Sequence, residues 1–138
     1  MSDDSSPKPS LRTDRVRLVV LMAPKPGLSF EEFDRYWLDV HAKVFSSIAI
    51  AKRNLLKYEQ FHLDRNYDEL IAAQTLAKSK SPFRGIAIFE ATSLDKIFDI
   101  WKDEEYLRVV VPDEHKFFDH ENAQILAGPF ATIIDKPN

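Results

Sequence analysis

Four histidines carry most of the chemistry this sequence could do: His41, His62, His115 and His120. They are not spaced as metal ligands. There is no H-x-x-x-H and no H-E-x-x-H, so a zinc site would have to gather its ligands from separate elements, and no metal is expected. The chain has no cysteine, which excludes a thiolate nucleophile, an iron–sulfur site and a disulfide framework. Neither a G-x-G-x-x-G, a P-loop nor a G-x-S-x-G occurs. With only three glycines there is little material for a phosphate-cradling loop. Acid–base chemistry by histidine, without a cofactor, is what remains.

His41 has the most structured surroundings. Pro26-Gly27 signals a turn, and Ser29 with Glu32 three residues on forms a capping box. Phe30, Phe33, Trp37, Val40, Val44 and Ile48 then recur at three- and four-residue spacing, which predicts a helix over 29–51. Phe33, Trp37, His41 and Phe45 form an i, i+4 ladder on one side of it. His41 therefore sits on a buried flank between aromatic rings, where a histidine either bonds a backbone carbonyl or does chemistry. His115 ends Pro112-Asp113-Glu114-His115. Asp113 there reads either as a capping carboxylate or, with His115, as a group turned into a cavity to polarise a ligand oxygen. His62 shares a strand face with Tyr58, which allows a cavity wall or a subunit interface. His120, between Asp119 and Glu121, reads as solvated.

The elements that must position these groups follow from the pattern of apolar residues. Strands are predicted at 15–22, 54–64, 83–91 and 123–135, the last interrupted by Gly128-Pro129. Gly85 in the third allows close backbone approach. A second helix runs from Ser93, its cap, to about Asp103, with Leu94, Ile97, Phe98 and Trp101 as its stripe. The order β-α-β-β-α-β is the ferredoxin-like arrangement. It is an α+β fold with a four-stranded antiparallel sheet and both helices on one face. Residues 65–82 are an insertion with a helix-prone stretch, whose Leu70, Ile71 and Gln74 could dock on the body. Tyr106 and Phe117-Phe118 belong to a second extra segment, 103–122, expected to turn back over the helices.

Bulk properties bound the rest. At 138 residues the chain is one domain, read as 14–138 behind a Ser-, Asp- and Pro-rich disordered tail over 1–13. Net charge is −3, and no face is basic, which argues against nucleic acid. No apolar run reaches membrane-spanning length. The N-terminus lacks the apolar core of a secretory signal, so a cytoplasmic location is expected.

Two segments carry a resemblance. KPGLSFEEFDRYWLDVHA, from Lys25 to Ala42, is similar to the first helix of the EthD-type proteins, a branch of the dimeric α+β-barrel superfamily. Phe83 to Phe98, followed by Glu105-Tyr106 and by Pro112 to Asp119, resembles the second half of that family. The likeness spans about 15–135. Arg84 departs from it, since the family often has an acidic residue before that glycine.

The resemblance implies a homodimer joined through its sheet faces to complete a dimeric α+β barrel. It also implies kinship with small, cofactor-independent proteins of fungal aromatic polyketide pathways. The activity implied is that of a lyase, through decarboxylation or dehydration/cyclisation of an aromatic polyketide-type carboxylic acid. His41 matches the family's histidine in its Y-W-x-x-x-H element, and Asp113 and His115 fall in its D-E-x-x-F element. These three are the catalytic candidates. Phe33, Trp37, Tyr58 and His62 are candidate ligand contacts from the first half, and Phe89, Trp101, Tyr106 and Phe117 from the second. Two other functions remain open: a cofactor-free oxygenase of anthrone-type substrates, and a non-catalytic accessory dimer that binds a small molecule. Haem binding through His41 or His115 is a further variant of the latter.

Overall fold

The structure, a computed structural model, describes residues 8–76 and 81–137. Part of the expected tail, 1–7, lies outside them, as do 77–80 of the insertion. The chain is already tethered at Arg12, whose N–H donates to the Phe130 carbonyl at 2.8 Å.

Strand β1 (Val16–Met22) is followed by helix α1 (Phe30–Tyr36), a wide turn π1 (Trp37–His41), α2 (Ala42–Ser47) and α3 (Ala49–Asn54). Next come β2 (Lys57–His62), α4 (Asn66–Gln74), β3 (Gly85–Ala91) and α5 (Leu94–Lys102). A second wide turn π2 (Tyr106–Val110), the short α6 (Val111–Glu114) and β4 (Gln124–Gly128) complete the chain. The strands form one sheet in the order β2-β3-β1-β4, every neighbour antiparallel. This is the expected α+β, ferredoxin-like arrangement.

The period of two shows in β2 and β3 and in part in β1. Leu18 and Met22 of β1 and Ala87, Phe89 and Ala91 of β3 are buried against the helices. There they join Phe33, Trp37, Ile97 and Ile100 in one core. Val19, Leu21, Ile86 and Ile88 alternate onto the other face. No helix among the described residues covers it, and Phe61 and Leu126 are more than half exposed there. At one end of that face Glu90 is buried and accepts hydrogen bonds from Arg17 and Arg15. Burial alone would raise its pKa, but the two guanidiniums outweigh it and hold Glu90 below the usual carboxylate range.

The capping box is present: Glu32 N–H donates to Ser29 Oγ and Ser29 N–H to Glu32 Oε1, both at 3.1 Å. The predicted helix over 29–51 is nevertheless not one helix. At π1 the Ala42 N–H bonds back to the Trp37 carbonyl, five residues away. The extra residue turns Leu38, Asp39 and Val40 to solvent, so Val40 leaves the apolar stripe where a regular helix would keep it. At Ile48 the backbone is extended. The Ala49 N–H that begins the next helix is capped from afar by Glu105 Oε1 at 3.0 Å.

Three other expectations change. The second strand is shorter than 54–64 because Asn54 ends α3, with Leu55 as its cap. The last strand stops at Gly128, where Pro129 has no N–H to pair. The insertion docks through charge rather than through Leu70, Ile71 and Gln74, all exposed. Asp68 meets Arg84 at 3.4 Å, and the Arg84 and Arg65 guanidiniums flank the Phe30 ring.

Candidate functional site

Between the sheet and the helices lies a cavity of about 250 Å3, just below the usual size of ligand pockets. Val20, Met22, Ala87 and Phe89 form its floor on β1 and β3, and Tyr58 enters from β2. Trp37, His41 and Phe45 line it from the first helical layer, and Trp101, Tyr106, Glu114, Phe118 and His120 from the second half. The walls are apolar, and the polar groups are few and convergent.

Close packing of helix on sheet makes this wall. A Cβ on Gly85 would come 2.6 Å from the Trp37 ring and 3.1 Å from Phe33, so only glycine lets π1 approach β3 this closely. The wide turn also lets the Trp37 carbonyl accept from Gln60 Nε2 at 3.0 Å, pinning π1 to β2. Phe33, Trp37, His41 and Phe45 are all buried, as the ladder predicts.

His41 is held from behind. Its Nδ1–H donates to Asp113 Oδ2 at 2.8 Å, and the Tyr36 hydroxyl donates to the other oxygen of the same carboxylate. An acceptor-only carboxylate at Nδ1 fixes the tautomer and leaves Nε2 as the free basic nitrogen. Phe117 packs on the imidazole, ring centroids 4.7 Å apart. His41 is 5 % exposed. Burial pushes its pKa below the ordinary histidine value, outweighing the hydrogen bond to Asp113, which pulls the other way. Tyr36 is pushed up to about 12, first by burial and then by the Asp113 carboxylate. It stays a hydrogen-bond donor.

Pro112 explains how Asp113 reaches His41. A proline in a helix offers no N–H to the carbonyl four residues back. The chain passes through π2 instead, where the Val111 N–H bonds the Tyr106 carbonyl. Asp113 then points inward, and Glu114 is turned toward the cavity. Glu114 accepts from the Tyr106 hydroxyl at 2.7 Å and pairs with His120 Nε2 at 3.1 Å. Burial, then the Glu114 charge, holds the Tyr106 hydroxyl far above its usual pKa.

Five expected site residues are placed elsewhere. His115 is exposed and stacks on the outer side of His120, centroids 4.2 Å apart. It follows the end of α6, which turns it to solvent. His62 is screened from the cavity by the Trp37 ring, on which it packs at 4.6 Å, and it bonds Asp34 and Gln60. Phe33 and Phe117 are wholly buried and back the site without lining it. Asp113 likewise stands behind His41 rather than in the cavity. Trp37, Tyr58, Phe89, Trp101 and Tyr106 do line it. Sequence reasoning missed Glu114 and His120; the signal available was the acidic pair Asp113-Glu114 beside a helix-breaking proline.

A second hollow of about 560 Å3 lies between α1 and α4, bordered by Phe30, Asp34, His62, Asp64 and Arg65. It is an open, polar trough. Among the described residues no group of three or more His, Asp or Glu is placed to hold a metal ion. Nor, among the described residues, is any helix long and apolar enough to cross a membrane.

Residues 25–121 match the model of the EthD domain. No curated protein matches. Solved structures of the same fold include a dimeric protein of unknown function with a ferredoxin-like fold from Bacteroides fragilis. It has 14% identity and a TM-score of 0.54, with 88% of this chain and 100% of that one covered. An EthD family protein from Bacillus halodurans is also 14% identical with a TM-score of 0.54, over 83% of this chain and 96% of its own. A hypothetical Arabidopsis thaliana protein gives 11% identity and a TM-score of 0.51, over 93% and 96%.

Proposed function

This chain belongs to the EthD domain family, and on that premise we propose that it is a cofactor-independent lyase for a small aromatic ligand, with His41 as general base. The observation that carries the reading is the chain Tyr36–Asp113–His41 ending at an apolar cavity. Neutral imidazole is the form a general base needs, and burial favours it. Asp113 orients the ring and stabilises the imidazolium that forms after proton transfer. Tyr36 fixes Asp113 in turn. The aromatic walls suit a flat ligand of a few fused rings, as in aromatic polyketide chemistry.

Of the lyase reactions, loss of water from a hydroxy-ketone fits this cavity better than loss of carbon dioxide. A carboxylate ligand would meet the Glu114 carboxylate on the wall, and like charges at close range are disfavoured. Proton removal from an activated C–H by His41 begins the dehydration.

We infer a homodimer formed through the uncovered sheet face. Val19, Leu21, Phe61, Ile86, Ile88 and Leu126 make it apolar, and apolar faces of this kind mark interaction sites. The Bacteroides fragilis protein of the same fold is described as dimeric.

Anthrone, a three-ring ketone with an acidic methylene, tests the enzymatic reading. Under argon in D2O the wild-type protein should exchange the methylene hydrogens above the buffer rate, and His41→Ala should not. Binding without exchange would point to an accessory binding protein. Oxygen uptake in air with no anaerobic exchange would point to an oxygenase. Carbon dioxide release from a hydroxynaphthoic acid would restore the decarboxylase.

A further inference from the structure

We propose that Glu114 and His120 are a second acid–base pair of the same cavity, which protonates the group leaving the ligand and connects the buried site to solvent. The inference rests on the reading of His41 as the base. His41 and Asp113 are 5 % and 6 % exposed, and a ligand in the cavity would lie between His41 and solvent. Glu114 also lines the cavity, but its partner His120 has a side chain 34 % exposed. His120 touches the cavity on one side and solvent on the other. Its Nε2 meets Glu114 Oε1 at 3.1 Å. The remaining Glu114 oxygen is held by the Tyr106 hydroxyl, so the carboxylate cannot swing away.

The groups facing this pair come from every neighbouring element. Tyr106 contributes from π2 and His115 stacks on His120 from the end of α6. Phe118 stacks on the other side of His120, centroids 4.1 Å apart. The Glu114 charge also reaches His41, where it favours the protonated ring. The two histidines thus share one cavity, each with its own carboxylate, one pair buried and the other partly exposed.

In a dehydration the division of labour is direct. His41 Nε2 takes a proton from the ligand carbon, and the C–H electron pair becomes the new C=C bond. The C–O bond on the adjacent carbon breaks with its electrons on oxygen. That oxygen takes a proton from the Glu114–His120 pair and leaves as water. His41 gives up its proton once the product has gone, and the pair regains one from solvent through His120. Nothing is oxidised or reduced, and the protein ends as it began.

Anthrone exchange in D2O isolates the solvent connection. A proton captured by buried His41 beneath bound anthrone returns to the same carbon without label unless a carrier swaps it for deuterium. Glu114→Gln and His120→Ala should each slow deuteration by about 10²-fold, the low end for an acid–base group. Anthrone affinity, read by quenching of tryptophan fluorescence, should be kept. Added imidazole should restore the rate of His120→Ala, because a diffusible base can occupy the exposed gap; a merely structural histidine would not be replaced in this way. Wild-type exchange in both pair variants, with His41→Ala inactive, would overturn the relay and leave the His41 base standing. A slow His120→Ala that imidazole does not restore would also overturn it. Full exchange in His41→Ala would remove the base itself, and the relay with it.

Discussion

Asp113 stands behind His41, 2.8 Å from Nδ1, on the side of the ring away from the cavity. The carboxylate therefore acts through the imidazole. In Asp113→Asn the amide can donate to Nδ1, which moves the ring proton to Nε2 and removes the base. Anthrone exchange should fall by about 10² to 10⁴. A His41→Gln variant should fall as far, since it cannot titrate. Exchange at the wild-type rate in Asp113→Asn would show that the carboxylate only ties α6 to Tyr36 and His41, since α6 has no side-chain cap.

The lowered pKa of His41 fixes the sign of a pH effect. The folded protein holds the ring neutral below its ordinary value of 6.5. As pH falls from 6.5 toward the folded value, the unfolded state takes up a proton that the folded state refuses, and stability drops. The contribution is fully present above 6.5. Thermal midpoints measured across that window should decline on acidification, and His41→Gln should decline less. The acid limb of anthrone exchange should likewise lie below 6.5.

Gly85 is the tightest point of the helix–sheet contact. Gly85→Ala sets a methyl 2.6 Å from the Trp37 ring, and relief requires the indole or π1 to shift. The cost is about 1–3 kcal/mol, as for other overpacked cores. Chemical denaturation should report that loss, and anthrone affinity should weaken with it because Trp37 is a cavity wall. A variant as stable as wild type with unchanged affinity would show that the contact is slack.

On the uncovered sheet face, Phe61 and Leu126 are 53% and 56% exposed in the protomer. Glu at either position costs little to the folded protomer but places charge in a sheet-to-sheet interface. Light scattering should give the mass of a dimer for wild type and of a monomer for Phe61→Glu with Leu126→Glu. A monomeric wild type would refute the assembly.

Much of this was legible because it is periodic. Phe33, Trp37, His41 and Phe45 read as one buried ladder, Ser29 and Glu32 as a capping box, and Gly85 as a point of close approach; each depends on neighbours within a few residues. The breaks were harder. No glycine or proline marks the extended backbone at Ile48, whose compensation comes from Glu105 far along the chain. Val40 fits the apolar stripe by spacing, and only the wide turn ejects it. The exchange of His115 for His120 has the same origin. Which histidine meets Glu114 depends on how the chain leaves α6, and the partner of Asp113 lies 72 residues away. By spacing, Leu70, Ile71 and Gln74 of α4 make a docking face, whereas the segment is held by Asp68, with Arg84 and Arg65 flanking Phe30.

The wide turn from Trp37 to His41 has a genetic consequence. It holds one residue more than a regular turn, and that surplus lies among Leu38, Asp39 and Val40, which face outward. Deleting a single codon there would remove the surplus and let an unbroken α-helix form, with the side chains beyond the turn kept on their present face. Straightening the turn with every residue retained would instead rotate those side chains by about 100° around the axis and carry them off that face. Loss of one codon is thus a change this helix can absorb while its two ends keep their packing. Alignments of relatives across this segment should be read with a gap of one residue in mind.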